Sequence, residues 1–168
     1  MTSKSLLPIG SLACLAMLCP GSFAQDSRAA LTNASTRHAK TQSADVHAIQ
    51  LAMKKLFDKP GAPLTVHPVS VEGDYALAGW VQDQKGGRAL LRKESKGWAI
   101  VVCGGDQLNQ AAAFKLAGLS DTAALQLEGK VQLAESRLTA EQRKKLSLFE
   151  GTVQVENPST GHHGTLHH

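Results

Sequence analysis

Cysteine and aromatic side chains are scarce in this chain: 3 Cys, 4 Phe, 2 Trp and 1 Tyr among 168 residues. Few aromatics and dispersed lysines and arginines exclude the footprint of a nucleic-acid binder, which needs clustered bases with stacking residues between them. Beyond the first two dozen residues no apolar run approaches the ~20 residues of a membrane-spanning helix, so nothing after that point predicts a span. Gly-Lys-Ser/Thr is also missing, which leaves no phosphate loop. Cys14 and Cys19 sit near the amino terminus and Cys103 stands alone in the body.

The amino-terminal residues have the layout of a secretory signal. Lys4 supplies the positive start, residues 6–18 the apolar centre, and Ser22-Phe23-Ala24 a small-x-small cleavage site. Residues before the two leader cysteines lack a lipobox, so cleavage after Ala24 is expected, with a soluble mature chain starting at Gln25. That cleavage removes Lys4 and no acid: Lys+Arg falls from 18 to 17 against 14 Asp+Glu, a net charge of +3. Cys103 is then the sole thiol and no intrachain disulfide can form.

Residues 25–43 are short and polar apart from Leu31 and predict a flexible linker. From Ala44 the spacing of Val46, Ile49, Met53 and Leu56 or Phe57 predicts a helix, stopped by Asp58-Lys59-Pro60-Gly61-Ala62-Pro63. Next comes an expected meander: an edge strand over 64–71 interrupted by Pro68, a strand over 75–81, a loose turn over 83–87, a strand over 88–93, and a strand over 98–103. After Gly104-Gly105 the pattern is helical again. One helix is predicted over 107–116 with Gly118 as its stop, a second capped by Ser120 and carrying Leu125, Leu127, Val131 and Leu138, and a third opened by Thr139-Ala140-Glu141-Gln142. Residues 151–155 are β-prone, a candidate fifth strand. The fold class expected is α+β: an N-terminal helix packed on a four- to five-stranded antiparallel meander, then a helical segment. It forms one domain over 44–155, around a single core, with a disordered His-rich tail over 156–168.

No catalytic constellation is legible, and an enzyme is not expected. Cys103-Gly104-Gly105-Asp106 admits two readings. Either the thiol is a small buried hydrophobe at a strand end, or the start of a helix just after it favours its thiolate for metal or redox work. His47 and His67 could serve as bases but lack an orienting third group. Asp74, Asp83, Glu94 and Asp106 fall at turns, which explains them. Arg88, after two glycines, is read as solvated or ion-paired rather than anion-binding. Trp80, Trp98 and Tyr75 are read as core rather than a ligand groove.

His162, His163, His167 and His168 carry the clearest chemistry. Neutral imidazole is the commonest protein ligand for copper, zinc and nickel, and this spacing lets a short Gly164-Thr165-Leu166 turn bring the two pairs together. A solvated tail or an interrupted purification tag are the bland alternatives. Methionine clusters suited to Cu(I) are missing, since Met53 is the one methionine after the leader, and Gln25-Asp26-Ser27 has no third-position His for an amino-terminal copper site.

The body resembles the bacterial copper uptake system-associated proteins. The resemblance rests on Ala48-Ile49 through Met53-Lys54, Phe57 through Val66, Gly73-Asp74 with Ala78-Gly79-Trp80, Gly86 through Leu91, Gly97-Trp98, Cys103 through Asp106, and Phe149 through Val153. It implies a periplasmic, non-enzymatic accessory of copper import, working beside periplasmic copper chaperones or an outer-membrane copper receptor. It also implies a copper role for Cys103; the His tail lies beyond the matched residues and is expected to serve as a capture arm for copper, or zinc, through its imidazoles. A periplasmic ligand- or protein-binding module of cystatin or nuclear-transport-factor type, with an incidental tail, is the other reading.

Overall fold

The computed structural model describes residues 26–155. The leader, Gln25 and the tail over 156–168, with its four histidines, lie outside the described residues. The chain divides into two compact units, residues 1–36 and 37–168. Of the first, the described part is the opening of helix α1; the remainder of α1, the sheet and the later helices belong to the second.

α1 runs Asp26–Phe57, so the segment expected as linker is helical from its second residue. The reason is visible in the sequence: no glycine or proline occurs between Ser22 and Lys59, and alanines recur at 29, 30, 34 and 39. Absence of an apolar stripe removes a packing surface, not the helix. Where the stripe begins, Ile49 and Met53 become buried, worth ~1.5–3 kcal/mol each in area removed from water. Of Leu56 or Phe57, one of which is expected inward, Leu56 is 61% and Phe57 37% exposed.

Five strands come next, β1 (Thr65–Glu72), β2 (Tyr75–Gln82), β3 (Lys85–Glu94), β4 (Gly97–Gly104) and β5 (Thr152–Gln154), in the spatial order β1-β2-β3-β4-β5. Every neighbouring pair is antiparallel. The α+β meander with a returning fifth strand is therefore present. Pro68 sits on the edge strand, preceded by a cis peptide bond, where the register with β2 shifts.

The expected loose turn over 83–87 is tighter than that. Asp83, at φ 53°, and Gln84 make the reversal, while Gly86 and Gly87 are buried inside β3. Glycine is required there by approach rather than by turning: a Cβ on Gly86 would collide with the backbone carbonyl of Lys145.

Between β4 and the later helices the chain makes a short 3₁₀ turn over Asp106–Asn109, then α2 (Ala111–Leu116), with Gln110 extended between them. The single helix expected over 107–116 is thus broken. α3 (Asp121–Glu135) is capped by Ser120, whose Oγ accepts from Ala123 N at 3.3 Å. α4 (Ala140–Leu146) opens with a reciprocal capping box between Thr139 and Gln142.

The sheet is covered on both faces, and two hydrophobic clusters replace the single core expected. One joins Ile49 and Met53 to Val66, Ala76, Ala78, Leu91, Trp98 and Ile100. The other joins Leu77, Leu90 and Val102 to Leu108, Phe114, Leu127 and Val131. Alternation along β2, with Ala76 and Ala78 in one cluster and Leu77 in the other, is what a two-sided sheet demands.

Candidate functional site

A bulge decides where Cys103 points. Leu90 pairs with Val102 but Leu91 with Ile100, so Val101 is an extra residue on β4 and the alternation inverts after it. Cys103 consequently packs with Trp98 and Ile100 on the α1 face, whereas Val102 faces the other cluster.

On that face lies an apolar cavity of about 230 Å³. Met53 and Phe57 of α1 form one wall, Trp80 and Cys103 of the sheet the floor, and Phe149, Val153 and Val155 of the returning carboxyl-terminal segment the far side. Trp80 and Phe149 meet edge to face, with ring centroids 6.0 Å apart. Gln82 closes the α1 end by donating from Nε2 to the carbonyls of Phe57 at 2.8 Å and Ala62 at 2.7 Å. Trp80 thus belongs to a cavity wall. Trp98 is core, its Nε1 donating to Asp45 at 3.3 Å, and Tyr75 donates its hydroxyl to Ala117 O at 3.3 Å.

Burial pushes the Cys103 thiol up to about 11. The expectation that a helix start would favour its thiolate is corrected by this geometry. After Gly105 the chain makes a single 3₁₀ turn, and its Leu108 packs in the cluster on the opposite face of the sheet. Cys103 instead sees side-chain carbon, which penalises the charged form.

Asp106 does not cap a helix; it holds Arg88. Arg88 is 2% exposed, and its Nε and Nη2 donate to Glu135 at 2.7 and 2.8 Å. Its Nη1 donates to Asp106 at 3.0 Å and to Leu146 O at 3.2 Å. Desolvation lowers the guanidinium pKa, but the two carboxylates outweigh it and hold it above its ordinary value. Ser147 Oγ donates to Asp106 at 2.7 Å. This network ties β3, the 3₁₀ turn, α3 and α4 together just behind the Cys103-Gly104-Gly105 segment. Every buried polar side-chain atom in it is satisfied, which marks it as structural.

His47 and His67 are exposed. Among the described residues no group of three or more His, Cys, Asp or Glu could hold a metal ion. Cys103 therefore belongs to no such group among the described residues. Its soft neighbour along the cavity wall is the Met53 thioether, 1% exposed. Sequence reasoning reads Met53 as core only, because its sharing a wall with Cys103 depends on how α1 lies on the sheet. No helix among the described residues is long and apolar enough to cross a membrane. Comparison of the chain with protein-family models, curated proteins and solved structures finds no match.

Proposed function

We propose that this protein is a non-enzymatic copper-binding accessory of a copper uptake or delivery system, acting in the periplasm once residues 1–24 are removed. The observation that carries the reading is that the thiol of Cys103 and the thioether of Met53 line one apolar cavity. Thiolate suits Cu(I) and zinc alike, but a thioether is a ligand for Cu(I) and not for zinc, and an apolar surround keeps water from competing. The histidines at 162, 163, 167 and 168 supply borderline imidazole donors for Cu(II) or zinc, so the tail and the cavity are separate sites suited to copper in its two oxidation states. The resemblance to copper uptake system-associated proteins supports the same assignment, with a periplasmic chaperone or an outer-membrane receptor as the protein partner.

Because the Cys103 thiol is pushed up to about 11, Cu(I) must displace its proton. Cu(I) affinity of the cavity then strengthens about tenfold per pH unit across the neutral range, whereas the imidazoles reach full strength just above their pKa of ~6.5. Alkylation of Cys103 in the native protein tests the assignment. Cu(I) should protect it, protection should weaken as pH falls, and Met53→Leu should reduce protection. Equal labelling with and without Cu(I) would overturn a cavity site.

A second reading has its own observation: the remaining wall of the cavity is almost all carbon. A pocket near 230 Å³ lies below the ~300–1,000 Å³ of common ligand sites, so it suits a small apolar molecule only. Quenching of Trp80 fluorescence by such a molecule, with no response to Cu(I), would favour this module.

A further inference from the structure

Past its first residue, Asp121, the outer face of α3 carries no charge. Thr122, Leu125, Gln126, Gly129, Gln132 and Leu133 are all exposed, with Leu125 62% and Leu133 59% open to solvent. Solvent-facing helix surfaces are normally charged, as the flanks of this one are: Lys130 pairs with Glu72 at 2.7 Å, and Glu128 accepts from Ala111 N at 3.1 Å. In the middle of the neutral face stands a glycine whose added Cβ would meet nothing within 4 Å. Packing within the chain therefore gives no reason for it, although glycine inside a helix is unfavourable. A glycine there permits close approach by something outside the chain.

The spacing identifies the partner. Asp121, Leu125, Gly129 and Leu133 succeed one another at intervals of four along α3, the ridge that helices use when they pack at about −50°, and Arg137 continues the interval in the turn two residues beyond the helix end. That ridge is complementary to itself when reversed. With Gly129 over Gly129, Leu133 of one copy meets Leu125 of the other, and Arg137 meets Asp121. Arg137 makes no side-chain hydrogen bond or ion pair among the described residues, and Asp121 has only a water-exposed contact with Lys115 at 3.0 Å. We infer that a second copy of this chain docks on α3, antiparallel, about a two-fold axis through Gly129. One helix pair buries less than the ~1,200 Å² of standard stable interfaces, so the dimer is weak, about micromolar or weaker.

Sedimentation of the mature chain, in chelator so that the tail cannot bridge copies through metal, should show a monomer–dimer equilibrium between micromolar and millimolar protein. Gly129→Ala separates the interface from the fold: it should raise the thermal midpoint of the monomer while weakening dimerisation about tenfold or more. Arg137→Asp should abolish the dimer, and Asp121→Arg combined with Arg137→Asp should restore it, with circular dichroism checking that each variant is folded. A monomer up to millimolar concentration overturns the inference. So does a dimer indifferent to Gly129→Ala, or one that the charge swap fails to restore.

Discussion

Arg88 shows how much can hang on one side chain. It is buried with two carboxylates and a carbonyl as partners, so truncating it strands Glu135, which is 9% exposed, without its counter-charge. Arg88→Ala should cost about 3–5 kcal/mol, read as a fall in the urea midpoint. Arg92→Ala, which removes a water-exposed pair with Glu94, should change it by less than ~1 kcal/mol. The place of Arg88 after two glycines leaves a solvated and an ion-paired side chain both open, and the partner that decides between them, Glu135, lies 47 positions away. Cys103 gives a second residue-scale outcome. Its folded pKa of about 11 exceeds the ordinary 9.0, so the folded state holds the proton more tightly. The stability this contributes is complete below pH ~9 and is lost as pH climbs toward 11. Wild type should therefore lose more stability than Cys103→Ala over that interval, and parallel losses would contradict a buried thiol.

At the scale of elements, signals carried by adjacent residues are legible in the sequence and those carried by distance are not. Ser120 and Thr139 are helix caps, Gly118 ends α2 with φ 103°, and the Pro-Gly-rich run after Phe57 ends α1. Thr139→Ala should cost about 1 kcal/mol and lower the thermal midpoint by a few degrees, because the Gln142 backbone N–H loses the Thr139 hydroxyl as its acceptor. The amino-terminal half of α1 escapes a reading based on apolar period, since its sequence carries no apolar stripe and so no such period. Gly86 and Gly87 read as a turn because glycine signals both reversal and close approach, and only Lys145 and Phe149, some sixty residues on, distinguish the two. The bulge at Val101 leaves no mark in composition, yet it sets which side of the sheet Cys103 occupies.

Over the whole molecule, the order of elements yields the meander directly, because sequential strands with short turns pair with their neighbours. The second core is hidden: α2 and α3 are expected after the sheet, with nothing in their sequence to say that they fold back over its other face. The same tertiary register puts Met53 and Cys103 on the lining of one cavity. The copper assignment thus joins a sequence-level feature, the four tail histidines, to one that exists only in the fold. Equilibrium copper titration of three mature proteins tests it most directly: wild type, a copy lacking residues 161–168, and Cys103→Ser. Truncation should remove Cu(II) uptake and leave one Cu(I) bound, while Cys103→Ser should abolish the tight Cu(I) and keep the Cu(II) at the tail. Identical copper stoichiometry and affinity in all three, or no copper bound by any, would contradict the assignment.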